Sequence, residues 1–72
     1  MEKIKELAVR LKISRESMGL TQRDVADELD ITPSAYANYE QGLREPSLVL
    51  FSKICEVLDV SADYLLGLEN WE

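Results

Sequence analysis

A 72-residue chain with 46 % hydrophobic residues and a net charge of −6 has room for one small domain and no more. At this size only about 60 % of the unfolded surface is buried, so stability depends on a dense core or a partner subunit. A single cysteine excludes an internal disulfide and suggests a reducing, cytoplasmic setting, and no apolar run approaches the roughly 18 residues of a membrane span.

The N-terminal MEKIKELAVRLK mixes charge into its apolar positions and has no signal-like apolar block. The predicted first helix runs from Met1 to Met18, with Ile4, Leu7, Ala8 and Leu11 at helical spacing and Gly19 able to close it in a left-handed conformation. Thr21 caps a second helix, Asp24 completes a capping box, and Val25, Ala26 and Leu29 form its inward face. Asp24, Asp27 and Glu28 make its outer face. Asp30 and Ile31 form a bend. Thr32-Pro33 then starts a third helix, since Thr caps and Pro suits the first helical position. That helix is expected to end at Gly42, followed by the connector Leu43-Arg44-Glu45-Pro46. Ser47 caps a fourth helix with Leu48, Phe51, Ile54, Cys55 and Leu58 at helical spacing, and Ser61 caps a short fifth containing Tyr64, Leu65 and Leu66 before Gly67. No stretch alternates with period two for long enough to be a strand. The expected fold is all-α: one five-helix domain over residues 1–72, with a tail over 68–72.

The third helix carries the least ordinary pattern. Ala35, Tyr36 and Tyr39 share one side, while Ser34, Ala37, Asn38 and Gln41 share the other. A solvated helix face normally carries Lys and Glu; this one is small, amide-bearing and uncharged, which points to contact with the major groove of DNA. The acidic balance argues against nucleic acid in general, but net charge is a global sum and phosphate contacts are local. It predicts weak non-specific binding. Chemistry has no foothold: there is no His, Cys55 sits in an apolar stripe as a small core residue, no Gly-rich phosphate loop occurs, and the carboxylates lie scattered. Neither an enzyme nor a metal or cofactor site is expected.

The segment GLTQRDVADELDITPSAYANYEQGLREPS closely resembles the helix-turn-helix of the XRE family, the lambda-repressor-like DNA-binding domains. The matching residues are Gly19-Leu20-Thr21-Gln22, Ala26 and Leu29, Tyr39-Glu40-x-Gly42, and Pro46-Ser47, and the likeness extends over about residues 4–67. It implies a helix-turn-helix at about 21–41 acting as a sequence-specific, double-stranded DNA-binding transcriptional regulator, most simply a repressor. Positions that reach base edges in the family fall on Pro33, Ser34, Ala37 and Asn38. Gln22 falls on the family's phosphate-contacting Gln, and Arg15 and Glu40 fall on its ion-paired Arg and Glu. Two departures stand out. Asp30 replaces the family's turn Gly, a position where Asp tolerates the left-handed conformation better than most residues. Pro33 and Ala37 offer no donor to a base, so polar readout concentrates on Ser34 and Asn38.

Asn38 suits a bidentate contact to adenine, and Ala37 a thymine methyl. Gln22, Arg23, Gln41 and Arg44 are the phosphate candidates; the plain alternative for Arg44 is an exposed side chain paired with Glu45. Leu65, Leu68 and Trp71 form a small apolar set at the C-terminal end, where Trp71 either folds back onto its own core or packs on a second subunit; the resemblance favours the second, a candidate interface for a homodimer on a palindromic operator, with Val49 and Val57 as further exposed apolar surface. The competing expectation is a protein-interaction module, such as an antitoxin or anti-repressor, that grips a partner protein through Asp24, Asp27, Glu28 and Asp30.

Overall fold

Each helix after the first begins at a hydroxyl that folds over its own first turn. Thr21, Thr32, Ser47 and Ser61 accept hydrogen bonds from the backbone N–H groups of Asp24, Ala35, Leu50 and Tyr64 at 3.0, 3.0, 3.1 and 3.0 Å, satisfying donors that a helix leaves open. The computed structural model describes residues 3–68. Within them lie α1 (Lys3–Ser17), α2 (Gln22–Leu29), α3 (Pro33–Glu40), α4 (Leu48–Leu58) and α5 (Ala62–Leu65), and the described residues contain no strand.

Two of the turns use the same device. Helices α2 and α4 each end on an aspartate in the left-handed conformation, Asp30 (φ 61°) and Asp59 (φ 54°). In each turn the next residue, Ile31 or Val60, sends its N–H back to Ala26 or Cys55, at 3.0 and 3.1 Å. A hydroxyl cap follows at once. The pairs Leu29-Asp30-Ile31-Thr32 and Leu58-Asp59-Val60-Ser61 are thus one reversal built twice, a backbone closure of the Schellman type. Aspartate serves where glycine is the usual choice because its short polar side chain tolerates positive φ.

The core joins Leu7 and Leu11 of α1, Val25, Ala26 and Leu29 of α2, Tyr36 of α3, Phe51, Ile54 and Leu58 of α4, and Leu65 of α5. Helix α2 packs on α3 and α4, while α1 packs on α3 and α5. Three α1 side chains also clasp the end of α5. Lys3 Nζ donates to the Leu66 carbonyl at 2.9 Å, and Arg10 donates to the Tyr64 carbonyl at 3.1 Å while lying over the Tyr64 ring. Glu6 bridges both cations.

Several expectations shift. Helix α1 ends at Ser17 and leaves Met18 exposed in the turn; Met1 and Glu2 lie outside the described residues. Helix α3 stops at Glu40, with Gln41 as C-cap and Gly42 at φ 74°. Leu48 was placed in the buried stripe of α4 but is 83 % exposed, because it opens the helix on the connector side before the chain reaches the core. Cys55 and Ala35 are only half-buried. Leu65 requires the main correction. It is fully buried in the common core, where α5 packs on α1, so the interior has already taken the side chain proposed for a subunit interface. Leu68 remains 60 % exposed; Trp71 lies outside the described residues.

Candidate nucleic-acid interface

The orientation of α3 is fixed by one buried carboxylate. Glu40 accepts two hydrogen bonds from Arg15 of α1, from Nε at 2.7 Å and from Nη2 at 3.1 Å, and a third from Gln22 Nε2 of α2 at 3.1 Å. Arg15 Nη1 also donates to the Leu20 carbonyl at 2.8 Å. The fork-on-fork geometry is the strong form of this pair, and both side chains are nearly sealed, at 10 % and 2 % exposure. Three helices and the α1–α2 turn are therefore tied at one point.

Electrostatics follow from that geometry. Burial alone would raise the Glu40 pKa, but the donors around it, Arg15 first and then Tyr36 and Gln22, outweigh burial and hold it below the usual carboxylate range. Hydrogen bonding to Glu40 raises the Arg15 pKa in return. The Tyr36 hydroxyl is buried beside the pair without a well-formed hydrogen bond, and burial followed by the adjacent carboxylate pushes its pKa far above that of a free phenol. Its ring packs edge-to-face on Tyr39, with centroids 6.3 Å apart. The inward placement of both tyrosines leaves the opposite face of α3 open.

That face carries Ser34 and Gln41, both exposed, and Ala37 and Asn38, both half-exposed, with Pro33 half-buried at its start. Among the described residues, none of these polar side chains is engaged in a hydrogen bond. Beside the face lies the N-terminus of α2, where the reciprocal capping box between Thr21 and Asp24 uses hydrogen bonds of 3.0 and 2.9 Å. The Thr21 backbone N–H, and after it the Thr21 hydroxyl, hold the Asp24 carboxylate below its usual pKa. Arg23 is exposed on the first turn of α2, and Arg44 is exposed in the connector after α3; neither has an ion pair among the described residues, Glu45 included. The one phosphate candidate that is not free is Gln22, whose amide nitrogen is committed to Glu40. This link between the start of α2 and the end of α3 has no local sequence signal, since its partners lie 18 residues apart.

Comparison with known proteins agrees with this architecture. A family model described as helix-turn-helix matches residues 11–65. An uncharacterized HTH-type transcriptional regulator of Bacillus subtilis, YqaE, is 48 % identical over 62 residues, covering 86 % of this chain and 53 % of that protein. The cryptic phage CTXphi transcriptional repressor RstR of Vibrio cholerae is 38 % identical over 65 residues, covering 90 % of this chain and 55 % of its own. This chain thus spans about half the length of the curated relatives it matches. Among solved structures, the clp gene regulator ClgR of Corynebacterium glutamicum superposes with a TM-score of 0.87 at 25 % identity, over 94 % of this chain and 72 % of that one. The restriction-modification controller protein C.AhdI of Aeromonas hydrophila gives 0.80 at 29 % identity, over 86 % and 94 %. With the family model matched across most of its length and relatives of this similarity, the chain belongs to the XRE-type helix-turn-helix family.

Proposed function

We propose that this chain is a sequence-specific DNA-binding transcriptional regulator that lays α3 in the major groove. The observation that carries the reading is the uncharged, unpartnered face of Ser34, Ala37, Asn38 and Gln41, presented by a helix whose seat is fixed by Glu40. Asn38 makes the bidentate adenine contact, Ser34 reaches a base or a phosphate, and Pro33 and Ala37 give apolar contact, Ala37 to a thymine methyl. Arg23, Gln41 and Arg44 hold phosphates and set the register, and Gln22 adds the second N–H of the amide whose first is given to Glu40. The names of the relatives support regulation, and RstR is itself called a repressor.

A homodimer on a palindromic operator fits the same reading. On such a site the two α3 helices lie about 34 Å apart, one turn of DNA. A second protomer also doubles the phosphate contacts that an acidic chain needs. Leu68 and Trp71 remain the candidates for that interface.

Selection of bound sites from random duplex DNA, followed by fluorescence-polarisation titration against salt, tests the reading. The expected result is a palindromic consensus and an affinity whose logarithm falls with log salt by about 0.9 per phosphate contacted. Absence of binding at low salt overturns it and returns the acidic α2 surface of Asp24, Asp27, Glu28 and Asp30 to consideration as a protein-binding face.

A further inference from the structure

Arg23 and Arg44 are two of eight cations, and the structure accounts for three of the others internally. Arg15 is sealed against Glu40. Lys3 and Arg10 are engaged with Glu6 and the α5 carbonyls. Lys5, Lys12 and Lys53 remain exposed and without an ion pair among the described residues.

Lys5 is set apart from the other two by where its stem lies. A Cβ added to Gly42 would stand 3.8 Å from Lys5 Cγ, 3.8 Å from Ala8 Cβ and 3.9 Å from the Ile4 carbonyl oxygen. The first turns of α1 therefore lie against the corner that closes α3, with the Lys5 stem beside it. That corner leads within two residues to Arg44. The last turn of α3 holds no cation of its own.

We propose that Lys5 is a DNA phosphate contact, paired with Arg44 at the end of α3. The inference rests on the DNA-binding reading above and adds a residue from α1 to it. A helix lying in a groove about 12 Å wide has sugar-phosphate backbone on both sides. Arg44, in the connector that follows α3, serves the backbone beside the end of that helix, where Lys5 adds a second full positive charge on a flexible stem, enough to follow a phosphate without fixed geometry.

The test is a polarisation titration of the full chain against a random-sequence duplex and against its selected site, from 50 to 300 mM salt. Lys5→Ala is expected to weaken both about eightfold per protomer at 0.1 M salt and to flatten the log–log salt slope by about 0.9 per protomer, with Lys5→Arg restoring both. Lys53→Ala makes the same change in net charge from an exposed position on α4 and is expected to leave the slope unchanged. If Lys5→Ala leaves the slope intact while lowering the melting temperature, Lys5 only complements the carbonyl end of α3 and the proposal is overturned. Equal effects of Lys5→Ala and Lys53→Ala also overturn it, as a general charge effect. Failure of the unaltered chain to bind any duplex sinks the DNA reading itself, whereas binding that ignores Lys5 sinks this inference alone.

Discussion

In the proposed DNA complex, Asn38 and Arg44 would separate specificity from affinity. An amide matched to adenine discriminates between bases, whereas a guanidinium on a phosphate meets the same group at every sequence. Asn38→Ala is therefore expected to relax preference at one operator position by about 1–3 kcal/mol, while Arg44→Ala weakens all sequences alike; parallel titrations on cognate and scrambled duplexes check both. Glu40 makes the contrasting residue-scale case, because its work is internal. Glu40→Ala strands the Arg15 guanidinium in a nearly sealed site and is expected to cost about 3–5 kcal/mol of folding stability, measured by urea unfolding. Loss of that carboxylate also frees the Gln22 amide, so any folded remainder should bind DNA with altered register. The Arg15–Glu40 pair was legible through family resemblance. The third partner, Gln22, was not, since it was read only as a phosphate ligand and nothing local in the chain announces a bond across the two helices.

At the scale of elements, the caps carried most of the legible information. Thr21, Thr32, Ser47 and Ser61 mark helix starts by chemistry that acts within three residues, and all four cap in the structure. Helix ends and burial were harder. The α4 stripe included Leu48 because spacing alone does not reveal where the connector delivers the first turn. Leu65 reads as an interface residue in the sequence because a short helix gives no sign of how deeply the core will enclose it. The left-handed aspartates offer a test of the paired reversals. Asp30→Gly and Asp59→Gly remove strain at φ 61° and 54° and are each expected to raise stability by about 0.5–1 kcal/mol, part of the gain being offset by glycine's unfolded-state entropy. Additive shifts in thermal melts of the single and double variants would show that the two turns act independently.

For the whole molecule, the buried cluster around Glu40 and the exposed capping box at Asp24 shape the pH range of stability. Glu40 and Asp24 have folded pKa values below their unfolded ones, so they stabilise the fold above the unfolded carboxylate range near pH 4–4.5. That contribution disappears as pH falls through their lowered values. Tyr36 works in the opposite sense: its raised pKa means that the folded state holds the phenolic proton more tightly. Its stabilisation is complete below about pH 10 and declines as pH rises beyond it. Stability measured by urea unfolding is expected to form a plateau at neutral pH with an acid and an alkaline flank, and Tyr36→Phe should remove most of the alkaline one.

The clasp between α1 and α5 has a topological consequence. With Lys3 reaching the Leu66 carbonyl at 2.9 Å, the first turn of α1 and the turn after α5 stand within one lysine side chain of each other. Any segment joined before α1 and any joined after α5 therefore leave the fold side by side, and a pull on either is felt first at this clasp.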